Sequence, residues 1–364
     1  MPEPGHYSFL RYLEAKKVID DKALNQGVWQ RMAELLRDLQ QNRSVTILEV
    51  GCGIGTMVER MLERGLLTRA AYTAIDIGPE YVAEAEVRLR RYAEKQGFRT
   101  SEQAERAFVL KRPGQEILLD LVAADLYNIG GGEGPDQTCT EAYSKAPPAS
   151  GYPGGEEELT QAYLGVRRGE RRGDNEGGAM KTVRCYDVIV AHAFLDLVNL
   201  DSALQKILSL TRPGGLLYFT LNFDGATAFE PQIDPALDQQ IEELYHQSMD
   251  LRHIGSGPSR MSRTGRRLLA SLVRAGLPIL SAGSSDWVIH PCPAGYSPDE
   301  AYFLHFITDT VRGALTGKPG LDQQLFGDWI AERHRQIEKK ELIYIAHQLD
   351  LLAQVPMGQS PPHR

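Results

Sequence analysis

Cysteine is scarce. The four in 364 residues (Cys52, Cys139, Cys185, Cys292) lie far apart with no Cys-x-x-Cys pair, so neither a zinc knuckle nor a disulfide framework is written here and no metal is expected. Long apolar runs are also missing: none approaches the roughly 18 residues of a membrane span. Residues Met1-Pro2-Glu3-Pro4-Gly5-His6 lack the basic and then apolar regions of a secretory signal. A cytoplasmic protein with no membrane partner is expected. There is no excess of positive charge either. Forty Lys and Arg against 48 Asp and Glu give a formal −8, which disfavours a general nucleic-acid binder, because such proteins need a net basic face to neutralise phosphates.

What is present is a globular composition, 42% hydrophobic, enough for one elaborated domain or two smaller ones. Tyr7 to Gln41 is amphipathic and helical, with a break near Asp20-Asp21 and a second helix through Val28, Met32, Leu35, Leu36 and Leu39; residues 1–43 read as a helical cap. Strands and helices then alternate: strand Val45 to Val50, helix Thr56 to Arg64, strand Ala71 to Asp76, helix Pro79 to Lys95, strands Ile117 to Ala123 and Tyr186 to Ala191, helix Leu200 to Leu210, strand Leu216 to Leu221. That rhythm predicts a parallel sheet with helices on both faces over residues 44–290.

Residues 130–181 interrupt it. They are rich in Gly, Pro, Glu and Arg and cannot bury enough apolar surface to offset their ordering entropy, so a flexible insertion is expected, with a lid or partner-binding arm as the alternative. Helices follow over Leu237 to Arg252 and Thr264 to Ala275, then strand Trp287 to His290. Ser297-Pro298-Asp299-Glu300 has the spacing of a capping box with proline at the first helical position. Residues 291–341 read as a helical insertion over the site, 342–355 as the last strand, Leu342 to Ala346, with the end of the sheet domain after it, and 356–364 as a tail.

The densest motif follows the first strand: Glu49-Val50-Gly51-Cys52-Gly53-Ile54-Gly55. Dinucleotide enzymes space their glycines Gly-x-Gly-x-x-Gly to cradle a pyrophosphate, whereas here every second residue is glycine. Glycines at such a bend let the backbone turn tightly against a ligand. Glu49 suits a cationic ammonium and would sit badly beside a phosphate. A zwitterionic, phosphate-free nucleoside fits better than NAD.

Ile47 to Gly55 resembles the first motif of class I S-adenosylmethionine-dependent methyltransferases, an acidic residue followed by Gly-x-Gly-x-Gly. The resemblance implies a Rossmann-like α/β fold, a doubly wound and mostly parallel sheet of seven strands, here with an N-terminal helical cap and C-terminal helical insertions. It implies S-adenosyl-L-methionine as the cofactor. Asp76 matches the family's ribose-binding acidic residue, and Asp125 in Ala124-Asp125-Leu126 the position that contacts the adenine amino group. With Glu49, Gly51, Gly53 and Gly55, the neighbouring Cys52, Ile77, Leu126 and Ala191 complete the expected donor-binding set. The resemblance covers roughly Val45 to Asn222 apart from the insertion.

After the fourth strand the chain reads Ala191-His192-Ala193-Phe194-Leu195-Asp196-Leu197. Family members that methylate amides or nucleobases carry Asn or Asp-Pro-Pro-Tyr or Phe here, so this departure points to an oxygen or non-planar nitrogen on a small-molecule acceptor. Methyl transfer from a sulfonium needs alignment and, for a hydroxyl or ammonium, removal of a proton. His192 is the first candidate base; the alternative is a histidine bonded to a backbone carbonyl. His305, three residues after Tyr302 on one helix face, is the second. Tyr245, His246 and Asp250, Arg263 and Arg266 at a helix start suited to an anion, Trp287 and Tyr302 are candidate acceptor contacts. Three other readings stay open: an NAD-dependent oxidoreductase, a methyltransferase of RNA or protein, and a donor-binding protein without catalysis.

Overall fold

The structure, a computed structural model, describes residues 7–129, 186–251, 253–254, 257–258 and 261–357. The predicted insertion over residues 130–181 and most of the tail lie outside the described residues.

Strand β1 (Val45–Val50) is buried at every position but Thr46, as a strand covered on both faces must be. It pairs in parallel with β2 (Arg69–Asp76) on one side and β6 (Tyr186–His192) on the other. β2 pairs with β5 (Gln115–Ala123) and β6 with β7 (Thr211–Glu230), also in parallel. Helices α3 (Thr56–Glu63), α4 (Pro79–Lys95) and α5 (Leu200–Leu210) lie in the crossovers. The α/β reading and its central strands stand.

Among the described residues the sheet has ten strands, not seven, in the order β10 (Ile279–Ser284), β12 (Ile343–Gln354), β7, β6, β1, β2, β5, β4 (Ala107–Arg112), β3 (Arg99–Ala104), with β11 (Trp287–Ile289) beside β12. The additions are strands that sequence periodicity hides. β3 (Arg99–Ala104) and β4 (Ala107–Arg112) form an antiparallel hairpin beyond β5, and β3 is an edge strand of exposed polar residues. β10 (Ile279–Ser284) reads Ile-Leu-Ser-Ala-Gly-Ser, too small and polar for a propensity argument. The strand expected at Trp287 to His290 is the short β11 (Trp287–Ile289), paired farther along β12.

β12 (Ile343–Gln354) and β7 run well past their expected ends and pair antiparallel. Their extensions carry Gln348, Asp350, Asn222 and Asp224 facing inward and buried. Asp350 accepts the backbone amides of Asn25 and Leu221, each at 2.8 Å, so an inward carboxylate replaces the apolar residue a buried strand position normally holds.

The N-terminal helices are α1 (Phe9–Ala23) and α2 (Gln26–Asn42). The break falls at Leu24-Asn25, where Asn25 caps α2, and not at Asp20-Asp21. Lys16 and Lys17 pair one turn on with Asp20 and Asp21, which keeps both aspartates helical. Nor do the two helices form one cap. Val28, Met32 and Leu36 of α2 join the core on one face of the sheet with Ile47, Tyr72 and Val190, whereas α1 packs on β11 and on α8 (Pro298–Leu315). The capping box at Ser297 and Glu300 is formed. α8 and α9 (Gln323–Lys339) bury Phe303, Ile307, Trp329 and Ile330 against Ile19, Phe229 and Tyr344. Helices α6 (Pro235–Asp250) and α7 (Thr264–Arg274) follow β7, separated by the two-residue strands β8 (His253–Ile254) and β9 (Gly257–Pro258). Among the described residues no helix is long and apolar enough to cross a membrane.

The amino-terminal ends of the parallel strands are tied by Asp187. Its carboxylate accepts both terminal nitrogens of Arg43 (2.7 and 2.6 Å), Arg212 (2.9 Å), and the Thr46 amide (2.8 Å) and hydroxyl (2.9 Å). Burial alone would raise its pKa; the two guanidinium groups and the Thr46 amide outweigh that and hold it below the usual carboxylate range. Asp187→Ala is expected to cost about 2–3 kcal/mol, the scale of hydrogen bonds to a charged group, given that both arginines keep access to water. A depressed pKa contributes stability above the ordinary carboxylate range, so the difference in urea midpoint between the two proteins should close as pH falls through it. A gap independent of pH would contradict this.

Candidate active site

At the opposite, carboxyl-terminal edge the chain turns out of β1 through Gly51, Gly53 and Gly55, all with positive φ (68°, 51° and 75°). The glycines are required, because side chains are strained there. At Gly51 a Cβ would also meet Phe194 Cδ2 at 2.2 Å. Gly55 caps α3 and packs on Ala85 and Leu89 of α4. The loop is held by Asp76 at the end of β2, whose two carboxylate oxygens accept the amides of Gly53 and Gly78, each at 2.9 Å. Asp125, after β5, accepts the Tyr127 amide at 2.9 Å and opens a short 3-10 turn over Leu126–Asn128.

These ends border a cavity of about 630 Å³. Of the expected donor set, Glu49, Gly51, Cys52, Gly53, Asp76, Ile77, Asp125 and Leu126 line it. Gly55 and Ala191 do not: Gly55 serves the helix start, and Ala191 is packed in the core between β6 and α5. Four large apolar side chains that stand exposed, Phe9, Ile77, Tyr127 and Leu197, lie on this cavity. A bound ligand would cover them. Glu49 is buried, accepts the Tyr72 hydroxyl at 2.9 Å, and has its carboxyl pKa pushed up to about 8 by burial.

The far wall is built by α1 (Phe9, Tyr12, Leu13, Lys16, Asp20), by His192 to Val198, and by Trp287. His192 is there, with both ring nitrogens engaged: Nε2 lies 3.0 Å from Asp20 Oδ2 and Nδ1 2.8 Å from Thr220 Oγ1. A carboxylate only accepts, so Nε2 carries the proton and the Thr220 hydroxyl donates to Nδ1. Burial pushes the imidazole pKa down to about 4 despite Asp20. The partners are side chains, not the backbone carbonyl considered from sequence.

The other expected acceptor contacts lie off the cavity, Trp287 excepted. His305 is buried with Nδ1 2.7 Å from His334 Nδ1, and Tyr302 bonds the backbone of Ser8. Tyr245 belongs to the core under α8 and α9, and His246 bonds Thr227 at 3.0 Å. Asp250 accepts the Ser262 amide and hydroxyl. The start of α7 already holds an anion, the chain's own Asp224, which accepts the Arg266 amide and guanidinium; Arg263 is the N-cap there. The predicted helical insertion over residues 291–341 backs α1 and contributes nothing to the cavity lining.

Sequence reasoning missed Lys16 and Asp20. Their spacing of four is that of a solvated helical pair, but both are buried. Asp20 Oδ2 accepts Lys16 and His192, and Oδ1 accepts Trp287 Nε1 at 3.0 Å. Burial would raise its pKa; Lys16 and His192 outweigh that and hold it below the usual range. The available signal was two consecutive Lys–Asp pairs, Lys16–Asp20 and Lys17–Asp21, where a surface helix needs only one.

The residues fit a phosphate-free nucleoside with an amino-acid tail. The backbone is open to close approach at Gly53, where an added Cβ would meet nothing nearer than Leu13 Cδ1 at 3.7 Å, an anchored carboxylate stands at Asp76, and a buried carboxyl stands at Glu49. Lys16 is the sole lysine or arginine lining the cavity among the described residues. Among the described residues no group of three or more His, Cys, Asp or Glu is arranged to hold a metal ion.

Residues 23–264, more than half of the chain, match the family described as a methyltransferase domain. Among curated proteins, a 76-residue stretch is 34% identical to the non-reducing polyketide synthase mapC of Penicillium roqueforti (strain FM164); it spans 20% of this chain and only 3% of that protein. Solved structures similar to the chain include a methyltransferase from Geobacter sulfurreducens in complex with S-adenosyl-L-homocysteine (11% identity, 88% of this chain and 90% of that chain, TM-score 0.35). Others are the plantazolicin methyltransferase BpumL with a desmethylplantazolicin analog and S-adenosylhomocysteine (14%, 96% and 86%, 0.34) and a phosphoethanolamine N-methyltransferase of Haemonchus contortus (10%, 96% and 58%, 0.34). At these TM-scores the classification rests on the family match. The chain therefore belongs to the methyltransferase domain family.

Proposed function

We propose that the chain methylates an oxygen or nitrogen of a small-molecule acceptor in the cytoplasm, with Glu49, Asp76 and Asp125 receiving the donor's ammonium, ribose and adenine. One observation carries the reading: the cavity continues past the glycine loop into a wall of Tyr12, Phe194 and Trp287 around Lys16 and Asp20, a space on the scale of a small organic molecule. When bound, the donor supplies an electrophilic methyl group. The chain's own part is to align the acceptor and exclude water. A macromolecular acceptor would call for a basic groove beside His192, and the cavity wall there offers Lys16 alone among the described residues. Release of S-adenosylhomocysteine with a small-molecule fraction of a cell extract, and none with RNA or protein fractions, is the expected result; the reverse pattern would overturn the proposal.

Asp76→Asn should weaken S-adenosylmethionine binding by about tenfold to a hundredfold, because charge-assisted bonds to ribose hydroxyls contribute roughly 1.5–3 kcal/mol each before non-additivity. The asparagine oxygen still serves a loop amide. Equal calorimetric affinity in a folded variant would remove Asp76 from the donor site.

Glu49 generates a pH dependence. Its carboxyl, pushed up to about 8, is protonated in the free protein at neutral pH and must ionise to pair with an ammonium. Donor affinity should therefore rise by up to about tenfold per pH unit on approaching that value from below and level off above it. Glu49→Gln should flatten the dependence, and a flat wild-type profile would contradict the assignment.

His192, bonded on both nitrogens, should act as a positioning residue. His192→Ala is expected to cost about 1–3 kcal/mol of stability through the partners it leaves behind, with the shape of the pH–rate profile unchanged. A general base would instead show a rate loss of about 10²–10⁴ with rescue at high pH, and single-turnover transfer across a pH series tells the two apart.

A further inference from the structure

On the far wall of the cavity the hydrogen-bonding capacity of most polar groups is spent. Asp20 accepts from Lys16, His192 and Trp287, and His192 uses both ring nitrogens. Lys16 differs. Its ammonium has three N–H donors and gives one to Asp20; the other contact recorded among the described residues is the Trp287 ring, 5.1 Å away. The side chain is about 10% exposed and lines the cavity. A buried ammonium with donors to spare calls for an oxygen acceptor, and it disfavours a cationic amine through like-charge repulsion.

The surroundings select the shape of what carries that oxygen. Tyr12, Phe194 and Trp287 line the cavity with Lys16, and Tyr12 is fixed by stacking on Phe306 at 4.0 Å between ring centroids. Fixed aromatic faces favour a planar ring in offset or edge contact. The local charge is balanced by Lys16 against Asp20 with His192 neutral. Arg60, bonded to Asp21, adds positive potential that reaches Asp20 and His192; Glu49, Asp76, Asp125 and Asp196 are the other carboxyl groups lining the cavity.

We propose, resting on the methyl-transfer reading above, that the acceptor is a flat hydroxylated ring, a phenol or ring enol, held as its oxyanion by the Lys16 ammonium. The hydroxyl proton leaves to water on binding. In the transfer the oxygen–methyl bond forms as the methyl–sulfur bond of the donor breaks, turning oxyanion and sulfonium into neutral ether and thioether.

The test is spectroscopic titration of para-nitrophenol, whose ionised form absorbs in the visible, into the full chain saturated with S-adenosylhomocysteine. The ionisation midpoint of the bound phenol should fall by about one to three pH units, the effect of an opposite charge at contact. Lys16→Gln should return the midpoint to its value in water, and Lys16→Arg should keep most of the shift. An equal midpoint in wild type and Lys16→Gln, absence of saturable binding, or tighter Lys16-dependent binding of para-nitrobenzoate would overturn the proposal. Calorimetry of donor binding on the same preparations separates the layers. Donor binding without phenol binding sinks this inference alone, and loss of both in the wild type sinks the methyl-transfer reading beneath it.

Discussion

Asp20 is a carboxylate on an outer helix, buried to 2% exposure and bonded to donors from three elements: Lys16 on α1, His192 at the end of β6, and Trp287 on β11. A charge taken so far out of water is tolerable only when its partners are in place, and removing one side of such a pair typically costs about 3–5 kcal/mol. The consequence is geometric. The pairing fixes α1 across the carboxyl edge of the sheet, so the helix that would otherwise be a surface element becomes one wall of the cavity. His192 is oriented by the same carboxylate, and Thr220 from β7 completes its coordination.

The opposite end of the cavity is organised in the same manner by a second carboxylate. Asp76 spends one lone pair of each oxygen on the Gly53 and Gly78 amides, which holds the glycine turn in its left-handed conformations without a ligand. The lone pairs left over stand on the cavity that Asp76 lines. Polar groups set in place by the fold need no reorganisation when charge shifts during reaction, the condition under which electrostatic stabilisation is largest. Between the two carboxylates lies Glu49, whose carboxyl pKa is pushed up to about 8 by burial.

The glycine-loop side of the cavity was legible in the sequence because its parts are local: a buried apolar strand, glycines at every second position, and acidic residues at successive strand ends. Helices α4 and α5 match their expected ranges for a similar reason, since their apolar stripes carry no competing signal. The far wall was legible only at His192 and Trp287, which the sequence singled out one by one, and not at Lys16 and Asp20. Lys16, Asp20, His192 and Trp287 converge from positions far apart in the chain, and no spacing rule connects them. Tyr302 and His305 show the converse failure, for they share a helix face as read, yet that face packs on Ser8, Tyr7 and His334 away from the cavity. The long strands β7 and β12 were under-read because polar Asn222, Asp224, Gln348 and Asp350 occupy inward positions, where the two aspartates satisfy backbone and side-chain donors and Asn222 donates to the Leu349 carbonyl.

The central claim is that one cavity holds the donor between Asp76 and Glu49 and presents its methyl group to the wall that Asp20 builds. A crystal structure of the protein with S-adenosylhomocysteine tests it most directly. The expected result is the ribose hydroxyls within hydrogen-bond distance of Asp76, the amino group beside Glu49, and the sulfur facing the Lys16–Asp20–His192 wall. A nucleoside bound outside this cavity, or a sulfur turned away from that wall, would contradict it.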